Sequence, residues 1–455
     1  MIAVTTFANK SVLVFGLGGS GLATALSLVE GGAKVLAFDD NEARAKAAND
    51  EGIETANFRD VDFSNFDALI LSPGVPLTHP EPHWSVKKAH AAGIEIIGDV
   101  ELFNRERLAI APDSQFIAIT GTNGKSTTTA LIAHVLAHAG FDVQMGGNIG
   151  RAVLTLDALS SDKAYVVECS SYQIDLAPTL QPSIGVHLNI SADHLDRHGT
   201  VENYSDVKAR LVLNADHAII GVDDDFSVKI SKNVEAKGVS LERISVVDDG
   251  DITVDGNVIL AEGCPVADVT DIASLRGQHN LQNAAMAYAV CRKAGLHDDD
   301  IQAGLASFPG LAHRMEQVAE KNGVVFVNDS KATNADAAAH ALASFDEIYW
   351  ILGGLAKDGG IENLNDFFPR IMHAFLVGEA TDSFADILEG KVAFSKCGTI
   401  DNATKSAVEM ALSGVVENNQ TVAVLLSPAC ASWDQFVSFE KRGDAFKDAV
   451  RLALK

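Results

Sequence analysis

The chain has 455 residues, with 61 acidic against 35 basic side chains and a formal net charge of −26. This acidic balance argues against a protein that binds a nucleic-acid backbone, because such a protein needs a basic surface. At about 150 residues per domain the length suggests roughly three domains, and an apolar content of 47% is enough to build their cores.

The five cysteines are scattered and lack a CxxC spacing. We therefore expect reduced thiols in a cytoplasmic protein, with neither a disulfide framework nor a structural zinc site. The N-terminal segment MIAVTTFANK has no basic region followed by an apolar signal core. Because no apolar stretch reaches about 18 residues, we expect neither a transmembrane helix nor a membrane partner.

The first motif is a glycine-rich turn between two predicted strands, in SVLVFGLGGSGLATALSLVEGGAKVLAFDD. Gly16, Gly18 and Gly21 have the G-x-G-x-x-G spacing, and Asp39 ends the second strand. Taken alone, this pattern predicts a dinucleotide site, in which glycines let the backbone approach a pyrophosphate and an acid binds a ribose hydroxyl. Another diphosphate-bearing ligand on the same scaffold remains open.

A further strand at 68–71 runs into the loop SPGVP at 72–76. Ligands of open α/β sheets bind at the carboxyl ends of the strands, so this loop is predicted to lie beside the glycine turn. The sequence pattern changes around 98–105, and we place the first domain boundary at residue 103.

The segment GTNGKSTTT at 121–129 predicts a nucleotide phosphate site. Such a loop needs glycines that turn N–H groups inward, a lysine for the terminal phosphates and a hydroxyl for magnesium, and Gly121, Gly124, Lys125 and Ser126 supply them. The spacing is unusual, because the first glycine would ordinarily stand at Ile119. A strand pattern precedes the loop and a helix pattern follows it, which would place phosphates at a helix N-terminus. A plain turn between strand and helix is the alternative.

Two later strand ends carry acidic and histidine side chains. AYVVECSSYQID places Glu168 directly after an apolar strand, where P-loop enzymes keep a magnesium carboxylate. HLNISADHLDRHG gathers Asp193, His194, Asp196 and His198. Since no cysteine accompanies them, magnesium is favoured over zinc, and ordinary loop polarity is the alternative for each residue.

Two helical segments add polar candidates. YSDVK places Tyr204 and Lys208 four residues apart on one helix face, where a surface lysine is the default prediction. RGQHNLQNAAMAYAV places Asn280 and Asn283 at the start of a helix, where amides cap the helix or contact a base edge.

The third block starts at residue 311. Its strands VVFVN, EIYWILGG, AFLVGE and VAVLLSPA alternate with alanine-rich helices, which predicts a mostly parallel sheet. The polar loops NDSKATN at 328–334 and SPACASWDQF at 427–436 follow two of these strands. They predict a site for a second small substrate.

These features together resemble the Mur ligase family over the whole chain. The resemblance implies an α/β fold with a Rossmann-like first domain at 1–103, a central P-loop ATPase-like domain at 104–310 and a Rossmann-like third domain at 311–455. It also implies that the first domain binds a UDP-sugar rather than NAD. The loops DSKATN, LSPACASWDQF and DHLDRHG are similar to those of the branch that adds D-glutamate.

The resemblance implies an ATP-dependent amide ligase of peptidoglycan precursor synthesis. ATP would phosphorylate the L-alanyl carboxylate of UDP-N-acetylmuramoyl-L-alanine, and the amine of D-glutamate would displace phosphate from the acyl phosphate. It further implies two Mg²⁺ ions, small-molecule partners, no nucleic acid and a monomer in the cytoplasm. We expect the third domain to close onto the second, because water would hydrolyse the acyl phosphate.

The family's site residues transfer to matching positions. Lys125 would neutralise the phosphates, Ser126 and Glu168 would hold one Mg²⁺, His194 would help to hold a second, and Lys208 would be carbamylated and bridge the metals. The expected ATP contacts are Gly121, Thr122, Asn123, Gly124, Lys125, Ser126, Thr127, Asn280, Asn283, Arg314, Asp329 and Lys331. The expected UDP-substrate contacts are Gly16, Leu17, Gly18, Ser20, Gly21, Asp39, Ser72, Pro73, Gly74 and Asn148. The expected D-glutamate contacts are Thr333, Lys357, Ser432 and Phe439.

Three rival functions stay open. An NAD-dependent dehydrogenase would explain the glycine turn and Asp39, but it leaves the GTNGKS loop, Glu168 and the third block without a role. A non-catalytic nucleotide-binding regulator could keep the same fold. A sister ligase with another amino acid is the nearest competitor.

Overall fold

The computed structural model of the protein describes residues 1–247, 249–356, 360–413 and 421–455. The chain forms two compact units, which are Met1–Thr270 with Asn280–Phe308 and Asp271–His279 with Pro309–Lys455. Within the described ranges the first unit contains two β-sheets and the second contains one. No helix in these ranges combines the length and hydropathy needed to cross a membrane.

The first sheet is parallel and carries the glycine turn at its carboxyl edge. Its strands are β1 (Ser11–Phe15), β2 (Lys34–Phe38), β3 (Glu54–Thr55), β4 (Ala68–Leu71) and β5 (Glu95–Ile97), in the order β3-β2-β1-β4-β5. Its helices are α1 (Gly21–Glu30), α2 (Glu42–Asp50) and α3 (Trp84–Ala92), with 3₁₀ turns at Thr5–Phe7 and Phe63–Asn65. Phe15 pairs with Leu71 at the ends of β1 and β4, so the glycine turn and the SPGVP loop lie side by side.

Both faces of this sheet are buried. Alternate residues of β1 enter different apolar clusters, Val12 and Val14 one cluster and Leu13 and Phe15 another. Side chains alternate between the faces of a strand, and a parallel sheet covered on both faces is built from continuous apolar runs. The run SVLVF is therefore a strand although it lacks polar alternation.

The second sheet holds the phosphate loop near its middle. Its strands are β6 (Gln115–Thr120), β7 (Asp142–Gly147), β8 (Lys163–Glu168), β9 (Ile184–His187), β10 (His217–Gly221), β11 (Ser240–Ile244), β12 (Ile252–Asp255), β13 (Val258–Ala261) and β14 (Cys264–Asp268). The order is β14-β13-β12-β11-β10-β9-β6-β8-β7, and among the described strand pairs of this sheet only β12–β13 and β13–β14 are antiparallel. At the carboxyl end of β6, Ile119 pairs with Glu168 and Thr120 pairs with His187. The loops after β6, β8 and β9 therefore meet.

Along the chain, the helices between residues 99 and 306 precede, alternate with or follow the strands of the second sheet. They are α4 (Asp99–Ile110), α5 (Lys125–His138), α6 (Ser171–Asp175), α7 (Leu195–His198), α8 (Val201–Leu213), α9 (Asp225–Lys237), α10 (Gln278–Lys293) and α11 (Asp298–Ala306), with 3₁₀ turns at Val153–Thr155 and Ala273–Leu275. Residue 103 lies within α4, and the domain boundaries near 103 and 310 stay predictions.

The third sheet belongs to the second unit. Its strands are β15 (Glu316–Lys321), β16 (Val324–Asn328), β17 (Glu347–Gly353), β18 (Ile371–Val377), β19 (Phe394–Gly398) and β20 (Val422–Leu426), in the order β15-β16-β20-β17-β18-β19. Its helices are α12 (Ala335–Leu342), α13 (Thr381–Leu388), α14 (Ile400–Ser413) and α15 (Phe439–Ala453), with a 3₁₀ segment at Glu362–Arg370. Of the described pairs, only β15–β16 is antiparallel. The predicted α/β class and mostly parallel third sheet are confirmed.

Candidate functional site

A cavity of about 790 Å³ opens in the first unit beside the glycine turn. Its volume lies in the range of small-molecule sites. The lining comes from the first sheet's loops and from the loops after β7 and β8, and it consists of Phe15, Gly16, Gly18, Gly19, Ser20, Asp39, Asp40, Arg44, Ser72, Pro73, Gly74, Val75, Gly147, Asn148, Gly150, Ala152, Ser170, Tyr172 and Gln173. Of the predicted UDP-substrate contacts, Leu17 and Gly21 are not in this lining. The other eight are brought together there.

The glycine turn is packed too closely to accept side chains. Gly16 has a φ of +90°, and a Cβ on it would lie 2.6 Å from Ser72 Cβ. A Cβ on Gly21, at the start of α1, would lie only 1.8 Å from the Gly16 carbonyl oxygen. These glycines therefore allow the turn and the helix to touch, which is the close approach that a diphosphate site requires.

Asp39 braces this turn. One carboxylate oxygen accepts a hydrogen bond from the Leu17 N–H at 2.6 Å and the other accepts one from the Asn41 N–H at 2.8 Å. The Arg44 guanidinium lies 3.7 Å from the same carboxylate. The sequence predicted an acid that faces the ligand, but both carboxylate oxygens of Asp39 accept hydrogen bonds from backbone N–H groups. The sequence prediction also missed Arg44, which lines the cavity.

The phosphate loop joins β6 to α5 through two glycines with positive φ. Gly121 has a φ of +148° and Gly124 a φ of +82°. A Cβ on Gly121 would lie 2.8 Å from Leu188 Cβ, and one on Gly124 would lie 2.4 Å from Asn283 Oδ1. Because α5 begins at Lys125, the first N–H groups of this helix face the loop, as an anion site requires.

Residues of this loop make hydrogen bonds with one another and with the neighbouring loop after β9. Lys125 Nζ donates to the carbonyl oxygens of Gly121 and Thr122 at 3.0 and 2.8 Å. The Asn123 N–H donates to Asn189 Oδ1 at 2.9 Å. Ser126 is buried and Thr127 is half-buried on the first turn of α5. The predicted phosphate-binding segment therefore forms one compact loop.

Glu168 ends β8 beneath this loop and is 1% exposed. Its Oε1 accepts a hydrogen bond from Asn148 Nδ2 at 2.8 Å. Its Oε2 is buried, and no described residue donates a hydrogen bond to it. Buried carboxylate oxygens nearly always have a partner, so this atom suits a cation. Asn148 also lines the cavity and therefore connects the two sites.

Lys208 is 1% exposed, so the surface position that helix spacing predicts for it is wrong. Its Nζ donates to Thr120 Oγ1 at 3.1 Å and to the Gly121 carbonyl oxygen at 2.7 Å, and it lies 4.8 Å from the centre of the Tyr204 ring. The pKa of Lys208 is held well below its ordinary value, first by burial and then by the nearby Lys125 ammonium. A buried amine whose protonated form is disfavoured is therefore placed against the phosphate loop.

The histidines of the β9 loop differ in their surroundings. The His194 side chain is 46% exposed, with Nε2 3.5 Å from Asp193 Oδ2. His198 is buried, its Nε2 lies 2.9 Å from Ser171 Oγ, and its ring stacks on Tyr172. His194 is thus open to a ligand, whereas His198 packs the loop.

Within the described residues, no three His, Cys, Asp or Glu side chains converge as a metal cage. The predicted set of Ser126, Glu168, His194 and Lys208 includes only two residues of these types. A cation at Glu168 would therefore complete its shell with phosphate oxygens and water, as Mg²⁺ commonly does.

Asn280 and Asn283 are buried inside α10, so neither is a helix cap. Asn283 Oδ1 accepts a hydrogen bond from Thr128 at 3.0 Å, and its Nδ2 donates to Asn280 Oδ1 at 3.1 Å. This pair supports α5 and the phosphate loop from below. Contact with adenine stays a prediction.

In the second unit, Asp329 follows β16 and is buried. It accepts hydrogen bonds from the Ser427 hydroxyl at 2.8 Å and the Met315 N–H at 3.2 Å. Burial raises its pKa to about 7, against the lowering effects of these hydrogen bonds and of Arg314. The carboxyl group thus ties the segment that carries Arg314 to the loop after β20.

Among the remaining predicted residues of this unit, Lys331 contacts Phe439 at the start of α15. Lys331 Nζ lies 4.0 Å from the centre of the Phe439 ring. Thr333 is half-buried and Ser432 is buried. The predicted contact at Lys357 lies outside the described residues.

Sequence reasoning missed Arg442, which is 2% exposed. Its guanidinium donates to Ser330 Oγ and to the carbonyl oxygens of Ser330 and Cys430, at 2.9 to 3.0 Å. It thereby joins the NDSKATN loop to the SPACASWDQF loop. The sequence could have indicated that Arg442 is buried, because helical spacing places it on the same face of α15 as the buried residues Phe446 and Ala449.

Three family models match the chain. They are Mur ligase MurD-like, N-terminal domain at residues 10–98, Mur ligase middle domain at 119–291 and Mur ligase, glutamate ligase domain at 313–430. These matches confirm the predicted three-domain architecture.

Curated relatives and solved structures agree with these matches. UDP-N-acetylmuramoylalanine--D-glutamate ligases are 57% identical in Rhizobium johnstonii, with 98% of this chain and 96% of the relative covered, and 55% identical in Brucella abortus, with 100% and 98% covered. The UDP-N-acetylmuramate-alanine ligase MurC of Thermotoga maritima has the same fold, with 17% identity, a TM-score of 0.59 and coverage of 98% and 100%. The MurF ligase of that organism, solved with ADP, has 16% identity, a TM-score of 0.58 and coverage of 99% and 98%. The chain belongs to the Mur ligase family.

Proposed function

We propose that this chain is an ATP-dependent ligase that adds D-glutamate to UDP-N-acetylmuramoyl-L-alanine in peptidoglycan precursor synthesis. Identity of 55–57% over nearly the whole chain to relatives named for this reaction carries the assignment. The site chemistry supports it independently. An anion loop, a cavity of about 790 Å³ and a buried carboxylate oxygen that no described residue hydrogen-bonds meet in the first unit.

The reaction must make an inert acid reactive. A carboxylate oxygen of the L-alanyl group attacks the γ-phosphorus of ATP, and ADP leaves. The amine of D-glutamate then attacks the acyl carbon, phosphate leaves, and the nitrogen loses a proton. Phosphorylation removes the charge of the carboxylate and supplies a leaving group, so the amide can form.

The cavity suits the UDP-sugar, with the diphosphate at the glycine turn. Arg44 would supply positive charge to the diphosphate, since it is a basic side chain in the cavity lining. Asn148 would face the reacting carboxylate, since it lines the cavity and hydrogen-bonds to Glu168. The substrate would then reach from the first sheet to the phosphate loop.

Lys125 and the first N–H groups of α5 would hold the ATP phosphates. The Lys125 ammonium donates to two loop carbonyls, from which it can turn to the phosphates. Fixed positive groups at a transferring phosphoryl group stabilise the charge that develops in transfer. We further propose that Asn280 and Asn283 contact adenine from α10.

The residues beside the loop fit a divalent cation. Glu168 Oε2 is a buried carboxylate oxygen without a described hydrogen-bond donor, and Ser126 and His194 would add a hydroxyl and an imidazole. Mg²⁺, when bound, supplies positive charge to the phosphate oxygens in transfer. Two ions are proposed, one at Ser126 and Glu168 and one at His194.

Lys208 is placed to become a carbamate. Only a neutral amine attacks carbon dioxide, and the pKa of Lys208 is strongly lowered by burial and by Lys125. The nitrogen would form a bond to the carbon of CO₂ and lose a proton. The resulting carbamate would place an anionic metal ligand next to the phosphate loop.

We propose that residues of the second unit bind the amino acid. Arg314, Asp329 and Lys331 are proposed to contact the nucleotide, and Thr333, Lys357, Ser432 and Phe439 to bind D-glutamate. A cytoplasmic location and a monomeric state remain predictions of the sequence.

The test is phosphate release with ATP, UDP-N-acetylmuramoyl-L-alanine and D-glutamate, each omitted in turn. We expect release only with all three substrates, and a panel of amino acids should show preference for D-glutamate. Preference for another amino acid would identify a sister ligase. Phosphate release that does not depend on the UDP-substrate would contradict the proposed function.

A further inference from the structure

Arg197 reaches from the central region of the first unit to the wall of the cavity. It lies on α7, three residues after His194. Its Nη1 donates to the Gly74 carbonyl oxygen at 3.0 Å, and its Nη2 donates to those of Pro73 and Val75 at 3.3 and 3.0 Å. Three consecutive carbonyls of the SPGVP loop are thus held by one guanidinium group.

The same guanidinium group also contacts Tyr172, a second part of the cavity wall. The Arg197 Cζ lies 4.6 Å from the centre of the Tyr172 ring. That ring lies 5.0 Å from the His194 ring and 5.5 Å from the His198 ring, and His198 stacks on it at 12°. A continuous set of contacts therefore joins the cavity wall to the His194 segment.

The SPGVP loop has little freedom to shift without changing the cavity. A Cβ on Gly16 would lie 2.6 Å from Ser72 Cβ and 3.7 Å from Val75 Cγ2, so this loop packs directly on the glycine turn. Movement of a few tenths of an ångström would alter the space beside the proposed diphosphate site. Binding of the UDP-substrate therefore depends on the position of this loop.

Only arginine can make this set of contacts. Its planar fork presents several N–H groups in fixed directions and stacks on aromatic faces, whereas lysine presents one compact charge. Hydrogen bonds from charged donors are also stronger than neutral ones. A lysine at this position would keep the charge and lose the geometry.

We propose that Arg197 is a positioning residue, which holds the SPGVP loop in the shape that binds the UDP-substrate and couples this loop to the His194 segment. The inference rests on the proposed function. It predicts a defect specific to one of the three substrates.

The test compares Arg197→Ala and Arg197→Lys with the parent enzyme by phosphate release, with each substrate varied in turn. We expect the KM for UDP-N-acetylmuramoyl-L-alanine to rise about 10- to 100-fold in both variants. The KM for D-glutamate should stay within about 2-fold of the parent value. The matched control is Arg210→Ala on α8, which loses an ion pair with Asp175 at 3.0 Å and should leave all three KM values unchanged.

A titration of UDP-N-acetylmuramoyl-L-alanine into each protein by calorimetry, without ATP, separates the possible failures. A parent protein that neither binds this molecule nor releases phosphate overturns the proposed function and the inference with it. If the parent protein and the Arg197→Ala variant bind UDP-N-acetylmuramoyl-L-alanine equally well, the positioning role of Arg197 is overturned and the proposed function is not. An equal rise of all three KM values, or full recovery in Arg197→Lys, also counts against it, because both indicate a general structural role or a simple charge effect.

Discussion

Replacing Glu168 with glutamine separates the stability of this site from its chemistry. The substitution keeps the shape of the side chain and the acceptor for Asn148 Nδ2, which lies 2.8 Å from Glu168 Oε1. It removes a carboxylate charge at a position that is 1% exposed and whose Oε2 has no described hydrogen-bond donor. Activity and stability should therefore change in opposite directions.

The magnitudes follow from these contacts. An unpaired buried polar group costs about 1–3 kcal/mol, and more when it is charged. Since a neutral amide is less costly to bury than a carboxylate, we expect Glu168→Gln to raise the free energy of unfolding by about 1 kcal/mol in metal-free buffer. Loss of a charge that serves the transferring phosphoryl group should lower kcat about 10²- to 10³-fold.

Urea unfolding without Mg²⁺ and phosphate release with saturating substrates are the two measurements. Glu106→Gln is the matched control, because Glu106 is a 1% exposed carboxylate whose oxygens accept hydrogen bonds from Thr5 Oγ1 and the Thr6 N–H. The control should lose about 1–2 kcal/mol of stability and keep its turnover. Parental activity in Glu168→Gln, or a loss of several kcal/mol, would refute the assignment of Glu168 as an unsatisfied cation ligand.

Three further changes test separate parts of the site. Lys208→Ala should lower turnover at least about 100-fold, because it removes the proposed bridging carboxylate. Partial recovery of the variant's activity with a short carboxylic acid supports the carbamate. Normal activity of the variant without added acid excludes a carbamate at Lys208. His187→Gln tests the pH dependence of stability. Burial lowers the pKa of His187 to about 3, so as the pH falls the unfolded chain takes up a proton at this residue before the folded chain does. The contribution of neutral His187 to the free energy of unfolding is therefore complete above pH 6.5 and is lost as the pH falls below it. Between pH 7 and pH 5 the parent should lose about 2 kcal/mol more than the variant, and equal losses in urea titrations would contradict this assignment. Gly21→Ala should abolish measurable binding of the UDP-substrate in calorimetry, because its Cβ would lie 1.8 Å from the Gly16 carbonyl oxygen, and unchanged affinity would show that the turn can adjust.

Much of the fold, and the strand–turn–helix geometry of the proposed phosphate site, could be predicted from local sequence, because both depend on short-range rules. The buried run before GTNGKS and the helix pattern after it specify a strand, a turn and a helix, and Gly121 and Gly124 occupy positive-φ positions. The position of Glu168 at the end of an apolar strand is likewise predictable. The repeated alternation of strands and helices is enough to indicate parallel sheets.

The sequence alone determined which segments are strands, helices and glycine turns, because glycine geometry and apolar periodicity act over a few residues. Only the tertiary structure decided which polar side chains are buried and what they contact. Lys208 is a surface lysine by helix spacing, yet it donates to Thr120 and Gly121, 88 and 87 residues away. Arg197 contacts carbonyls 122 to 124 residues away. Such contacts depend on how loops from different strands meet at one edge of a sheet, and no local pattern in the chain records that meeting.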